Sequence, residues 1–359
     1  MRTLILTCHT GGGHNTCAAA ITEAYHSRGL TCHTADALEF ASLRLSRFVS
    51  WGHTTMYRRV PALFDRGYRF AERHPGTMEN DALSRLMSNG ARRLQEYLRE
   101  GGYDAVICVH VFAGLLLRRT LQEYPMALRT AFVATDYTCS PGAAAGELDR
   151  YFIPHESLAE EFAAQSVPRE ALVAGGIPIS PRFAAQQARP DGQRRHLVMM
   201  CGSMGCGPIR KMAVKLAEKL EKDALVVAVC GKNQKLYEEL TAEELPSLRV
   251  LGYCTEIPRY MDAADMVVTK PGGLSSTEAA VKHVPMVFIN AVGGCESRNF
   301  TYFLSHGYAL GSDESREVAE LVVDLANCPD HMGRMRQILE KDFCVNGAVL
   351  IADRLMGLE

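Results

Sequence analysis

The chain has 359 residues, enough for two domains with separate cores, and its 47% hydrophobic and 22% charged residues are ordinary for a globular protein. A net charge of −2 and the lack of a binding motif argue against a nucleic-acid partner, and no apolar run approaches the roughly 18 residues needed to span a bilayer. The twelve cysteines form no Cys-x-x-Cys pair, which argues against structural zinc and predicts buried, reduced thiols in a cytosolic protein.

The N-terminus is too soon interrupted for a signal peptide and reads as a first core strand, Leu4–Cys8. Gly11-Gly12-Gly13-His14 follows it, so His14 belongs at the carboxyl edge of a sheet, where an imidazole with an ordinary pKa of about 6.5 suits general-base work. The alternative role is a histidine that caps its own helix. Between Arg44 and Arg99 lie eleven arginines against five acidic residues, with Phe48, Trp51, Tyr57, Phe64, Tyr68 and Phe70 interleaved. Such a segment suits an anionic membrane surface, although a helical hairpin with core aromatics has the same composition. Further strands are predicted at Val106–Val109, Thr130–Ala134 and Tyr151–Pro154. Asp136, in Thr135-Asp136-Tyr137, ends one of them and either orients His14 or acts as the base itself.

All nine lysines lie at Lys211 or later, and the change in usage coincides with a polar stretch, Gln186 to Arg195, read as a linker. Beyond it, strands are predicted at Leu197–Met200, Leu225–Val229, Arg249–Leu251, Met266–Val268 and Met286–Ile289. Alternation with helices predicts two doubly wound α/β domains, 1–187 and 188–341, with a C-terminal helix over 342–359. Thr269-Lys270-Pro271-Gly272-Gly273-Leu274-Ser275 then leads from a strand into a helix that carries Glu278. Close-approach glycines before a helix N-terminus, whose free N–H groups attract an anion, suit a diphosphate, and a carboxylate one turn further on suits a ribose diol. Together they point to a nucleotide-activated group. By itself, a Gly-Gly turn is often only tight packing.

The ordered set of motifs resembles glycosyltransferase family 28, and within it the diacylglycerol glycosyltransferases. The set runs Gly11-Gly12-Gly13-His14, Thr135-Asp136-Tyr137, Gly176-Ile177-Pro178, Cys201-Gly202-Ser203-Met204-Gly205, Cys230-Gly231-Lys232-Asn233, Gly252-Tyr253-Cys254-Thr255, the Lys-Pro-Gly-Gly motif and Gly293-Gly294-Cys295-Glu296 with Asn299. The resemblance implies the GT-B arrangement, two Rossmann-like domains facing across a cleft, with the C-terminal helix packed back on the first domain. It implies that Ser203 and Gly205 help hold the diphosphate and that Asn233 lines the donor pocket. Tyr253, Cys254 and Thr255 belong to the loop that reads uracil through backbone groups. Three departures stand out: Cys254 interrupts Gly-Tyr-Thr, Cys295 replaces a glutamine that holds sugar hydroxyls, and Thr138-Cys139-Ser140-Pro141 replaces a His-x-x-Trp element. Glu296 and Asn299 remain as polar candidates for the sugar.

The chain has no Asp-x-Asp carboxylate pair, so a metal-independent, cofactor-free transferase is expected, with helix N-termini and Lys270 offsetting the diphosphate. The resulting expectation is an inverting transfer of glucose or galactose from UDP-glucose or UDP-galactose to diacylglycerol, at the cytoplasmic membrane face. His14 lies on the acceptor side, with Gly13, Gly272, Gly273, Leu274, Ser275 and Glu278 around the donor. Alternatives are the related N-acetylglucosaminyltransferase of peptidoglycan lipid intermediates, a non-catalytic sugar-nucleotide or lipid binder, and a sugar-nucleotide epimerase.

Overall fold

A computed structural model describes residues 1–8, 12–42, 81–184, 194–200, 202, 209–289, 293–312, 314–344 and 347–357. The chain divides into two compact units, one of Met1–Pro181, Val292–Cys295 and Val345–Glu359, the other of Arg182–Ala291 and Glu296–Cys344. The first carries strands β1 (Arg2–Thr7), β2 (Thr31–Asp36), β3 (Ala105–Cys108), β4 (Arg129–Val133), β5 (Arg150–Ile153) and β6 (Leu172–Ala174). Its helices are α1 (Gly12–His26), α2 (Ala37–Ala41), α3 (Asp81–Gly101), α4 (Val111–Glu123) and α5 (Ala159–Ala164). The second carries β7 (Arg195–Met200), β8 (Ala224–Val229), β9 (Leu248–Leu251), β10 (Met266–Thr269), β11 (Met286–Ile289) and β12 (Ala309–Ser312). With them run α6 (Ile209–Lys219), α7 (Gln234–Thr241), α8 (Ile257–Ala263), α9 (Gly273–Val281), α10 (Cys295–Ser305), α11 (Ser315–Ala326) and α12 (Pro329–Asp342), and α13 (Gly347–Met356) ends the chain.

Each unit holds one six-stranded, all-parallel sheet, ordered β2-β1-β3-β4-β5-β6 in the first and β12-β11-β10-β7-β8-β9 in the second. Crossover helices cover both faces, and for that reason the inner strands β3, β10 and β11 are buried at every residue. Every predicted strand is present. The reading omits β2, β6 and β12, each at the edge of its sheet, where Thr31-Cys32-His33-Thr34-Ala35-Asp36 and Ala309-Leu310-Gly311-Ser312 stay partly exposed and lack an apolar run. Cys8, Cys17 and Cys108 are buried free thiols, and desolvation pushes all three well above the ordinary thiol range.

Strand order fixes where ligands can approach. In the first sheet the direction of winding reverses between β1 and β3, and in the second between β7 and β10. Open parallel sheets bind ligands beyond the carboxyl ends of the strands at such switch points, where diverging crossovers leave a crevice. His14 follows β1, and the Lys-Pro-Gly-Gly loop follows β10.

The C-terminal helix α13 belongs to the first unit. Ala348 packs with Ala20 and Ala24 of α1, and Arg28 reaches both carboxylate oxygens of Asp353 at 2.7 and 3.1 Å. Its first residue sits hard against the Gly175-Gly176 turn: a Cβ on Gly347 would lie 2.2 Å from the Gly176 carbonyl oxygen and 3.0 Å from that of Gly175. Backbone cannot yield as a side-chain tip does, so Gly347→Ala should destabilise the first unit by roughly 1–3 kcal/mol, the usual cost of overpacking. Thermal unfolding checks this, and an unchanged midpoint would mean that α13 moves aside freely.

Candidate active site

In the first unit the site is built where β1 and β3 end. His14 sits in the first turn of α1, half-buried, and its Nδ1 donates to the Val109 carbonyl at 2.7 Å. A carbonyl only accepts, so Nδ1 carries a proton, and in the neutral ring Nε2 is the basic nitrogen. That is the tautomer a general base requires, and the bond ties the ring to the end of another strand. Thr135 Oγ1 lies 3.3 Å from the same nitrogen, so the Thr135-Asp136-Tyr137 segment reaches the base through its threonine. Asp136 is half-buried beside it, Tyr137 is buried, and Gly13 is exposed one residue before the base. Asn15 accepts from the Thr7 hydroxyl at 3.0 Å and pins the start of α1 to the end of β1.

One residue missed by sequence reasoning belongs here. His110 caps α4, its Nδ1 accepting the Phe112 N–H at 3.0 Å, and its ring meets His14 edge-to-face with centroids 4.7 Å apart. Embedded in Val109-His110-Val111, it reads as the tail of an apolar strand.

In the second unit, α9 begins directly after the β10 loop. Its N-cap is Gly272, which offers no side-chain acceptor, so the first N–H groups of the helix remain available to an anion. Gly272 has an ordinary φ of −81°, and a Cβ there would meet nothing within 4 Å. The protein's own packing therefore does not demand glycine; open space for a close-approaching ligand explains it. Gly272→Ala should leave thermal stability within about 0.5 kcal/mol, as expected away from packed sites, and weaken UDP binding several-fold. Calorimetric titration beside a melting curve checks both halves.

Gly273 and Leu274 are buried and Ser275 half-buried in the first turn. Glu278 keeps part of its surface accessible, yet desolvation pushes its carboxyl up to about 8. Among the described residues no ion pair or side-chain hydrogen bond engages it, which leaves a carboxyl ready to accept from hydroxyls that a ligand brings.

Lys270 does not stand as an isolated cation. Its Nζ pairs with Glu296 at 3.1 Å, both side chains about 15% exposed or less. Asn299 is fully buried and donates to the Pro271 carbonyl at 3.0 Å, so it shapes the loop from behind. Thus α10 fastens the Lys270–Gly272 loop at two points, Glu296 from the side of the lysine and Asn299 from behind. Cys295 begins α10, half-buried, after two glycines with positive φ.

The Tyr253–Thr255 loop is braced too. Arg182 donates to the Thr255 carbonyl at 3.2 Å and to Glu256 at 2.8 Å, holding the Glu256 carboxyl below its ordinary range. Cys254 Sγ accepts the Glu256 N–H at 3.3 Å, so the thiol that interrupts the family pattern closes the turn. Tyr253 is 66% exposed, with Lys232 Nζ 5.6 Å from its ring centroid. Asn233 caps α7 by accepting from Leu236 N–H at 3.1 Å, a task for its side chain besides any at the donor. A buried ion pair, Lys282 with Asp262 at 2.6 Å, ties the end of α9 to α8 and thereby spaces Glu278 from this loop. Ser203 and Gly205 lie outside the described residues, as do Arg44 to Asn80 of the basic segment and most of the predicted linker.

Two family models match the chain in succession. Residues 14–179 match "Monogalactosyldiacylglycerol (MGDG) synthase" and residues 196–333 match "Glycosyltransferase family 28 C-terminal domain". A processive diacylglycerol beta-glucosyltransferase of Staphylococcus saprophyticus is 28% identical over 61% of this chain, an alignment that spans only 59% of that protein. Its counterpart in Bacillus subtilis is 26% identical over 99% of this chain and 94% of its own length. Among solved structures, MurG of Acinetobacter baumannii superposes with a TM-score of 0.67 at 13% identity, covering 99% of both chains, which speaks to fold alone.

Proposed function

The chain belongs to glycosyltransferase family 28, and we propose that it transfers a hexose from a UDP-sugar to the hydroxyl of diacylglycerol, with inversion at the anomeric carbon. The observation that carries this reading is the uncapped start of α9 at the second sheet's switch point, with Glu278 one turn further on. The Nδ1-anchored imidazole of His14 at the first sheet's switch point supports it separately. In the reaction His14 Nε2 takes the proton of the acceptor hydroxyl as its oxygen attacks the anomeric carbon. The bond from that carbon to the diphosphate oxygen breaks, and its electron pair leaves on UDP. The amides that begin α9 stabilise the charge that develops there, and a single displacement inverts the configuration. Asp136 and Thr135 orient the base.

The donor is UDP-glucose or UDP-galactose, held by Glu278 at the ribose and by backbone of the Tyr253–Thr255 loop at the base. The transfer is independent of metal: amides at α9 and at the Gly202–Gly205 loop offset the diphosphate. To test this, each radiolabelled UDP-sugar is incubated with diacylglycerol vesicles, with and without EDTA. Label should enter the lipid phase from a UDP-hexose in either condition. Label entering only from UDP-N-acetylglucosamine onto a peptidoglycan lipid intermediate would replace the acceptor class, and loss of transfer in EDTA would restore a metal.

No helix among the described residues is long and apolar enough to cross a membrane, and the protein visits the cytoplasmic membrane face as a peripheral enzyme. The docking surface is the Arg44–Arg99 segment, whose part on α3 exposes Arg92, Arg93 and Arg99. Basic side chains near an anionic surface contribute about 1 kcal/mol each. Charge reversal at Arg58, Arg59, Arg66 and Arg69 should therefore reduce sedimentation with anionic vesicles while leaving UDP binding intact. Undiminished vesicle binding, with no blue shift of Trp51 emission in the wild type, would return this segment to ordinary core.

A further inference from the structure

We propose that Glu161 is a positioning residue for the transfer, its carboxylate fixing the loop after β4 that carries Thr135 and Asp136 beside His14. The proposal rests on the reading of His14 as the base. The loop leaves the first sheet at Ala134, whose N–H donates to the Phe152 carbonyl at 3.0 Å. Further on, Thr138 Oγ1 donates to Glu161 Oε1 at 2.5 Å, and the Cys139 N–H donates to the same oxygen at 2.8 Å. Asp136 lies midway between these two fixed points, so the chain is held on either side of it. Thr135 Oγ1 lies 3.3 Å from His14 Nδ1, and a shift of this loop is therefore felt at the base.

Two donors converge on one ionised oxygen, and such charge-assisted bonds are about twice as strong as neutral ones. Thr138 is only 4% exposed, so loss of the acceptor would strand a buried hydroxyl. Glu161 itself is exposed in the first turn of α5, where removing its side chain leaves the core intact. The later part of the loop has anchors of its own. Tyr151 Oη donates to the Ala144 carbonyl at 3.3 Å and accepts the Leu148 N–H at 3.1 Å, and Arg118 donates to the Ala145 carbonyl at 3.1 Å. The stretch beside Asp136 is thus the part that depends on Glu161. Cys139 does not compete as a nucleophile there. Burial, and after it the Glu161 charge, push its thiol up to about 12. The hydroxyl of the clamp comes from Thr138, the first residue of the stretch in which this chain departs from the family pattern.

Glu161→Gln keeps an oxygen that accepts both bonds, whereas Glu161→Ala keeps none. Glu161→Ala should melt only a few degrees lower and hold UDP affinity and the KM for UDP-sugar within two-fold. Its kcat should fall about ten-fold, the order expected when reacting groups are left loosely placed. Glu161→Gln should stay within two-fold of wild type throughout. Thr138→Val keeps the packing and loses one donor, so it should share part of the loss and add nothing to Glu161→Ala. Amide hydrogen exchange in the substrate-free protein reads the clamp directly. The Cys139 N–H should exchange slowly in wild type and Glu161→Gln and at least ten-fold faster in Glu161→Ala. Wild-type kcat in Glu161→Ala, or equal losses in the Ala and Gln variants, would reduce Glu161 to a surface contact. A fall in UDP affinity that matches the fall in kcat, or slow Cys139 exchange in Glu161→Ala, would do the same. Because exchange needs no substrate, a wild-type protein inactive with every donor would overturn the proposed reaction and not the clamp.

Discussion

His14→Ala should lower turnover by about a hundred-fold or more while UDP affinity stays within a few-fold, the usual scale for removing a general base. The expectation comes from one bond. With Nδ1 donating to the Val109 carbonyl at 2.7 Å, Nε2 is the nitrogen left to take a proton. UDP affinity should hold because the proposed donor cradle, on α9 and the loops around it, belongs to the other compact unit. Steady-state kinetics beside calorimetric titration with UDP checks both statements. Near-normal turnover would pass the role of base to Asp136.

Glu278→Ala should weaken binding of a UDP-sugar by about 1.5–3 kcal/mol, the value of a charge-assisted hydrogen bond, or roughly ten-fold and more in affinity. The wild-type protein adds a signature that a purely steric effect lacks. Desolvation holds the empty-site carboxyl at about 8, against an ordinary 4.5, so it is mostly protonated near neutrality. Diol hydroxyls donate to the carboxylate and favour the charged form, so donor binding should release a proton and strengthen as pH rises toward 8. The sign for stability is opposite. A raised carboxyl pKa makes the folded, empty protein bind more protons than the unfolded chain, so stability falls as pH climbs from about 4.5 through 8. Titrations of a UDP-sugar, whose diphosphate diester does not ionise in this range, in buffers of different ionisation enthalpy should show proton release in the wild type and none in Glu278→Ala. Equal affinities and equal proton counts would mean that the carboxyl faces no ribose.

The inner strands are legible because burial on both faces forces apolar runs: Leu4-Ile5-Leu6, Val267-Val268 and Met286-Val287-Phe288-Ile289 permit little else. Three of the four edge strands escape because part of their surface meets water: Thr31–Asp36 carries two threonines and a histidine at positions that are not buried, and Ala309–Ser312 is short and partly exposed. The site divides in a similar way. Local patterns such as a glycine before a helix start, or a histidine after a first strand, expose His14, Gly272 and Glu278. Pairings between distant segments leave no local trace. Lys270 gives no sign of Glu296, which sits on a separate helix, and nothing around Asn299 announces that its amide supports the Pro271 carbonyl. His110 is hidden for a third reason: its neighbours are valines, and its contact with His14 arises only where β3 ends beside β1.

The most direct measurement of the central claim is the identity of the product. Purified protein, diacylglycerol vesicles and the donor that labels the lipid phase are incubated, and the lipid extract is examined by mass spectrometry and proton NMR. The account predicts a hexosyl-diacylglycerol formed mole for mole with UDP, its anomeric proton showing the wide coupling of a β-linkage from an α-linked donor. Free sugar released alongside UDP with no glycolipid, or an α-linked product, would contradict it.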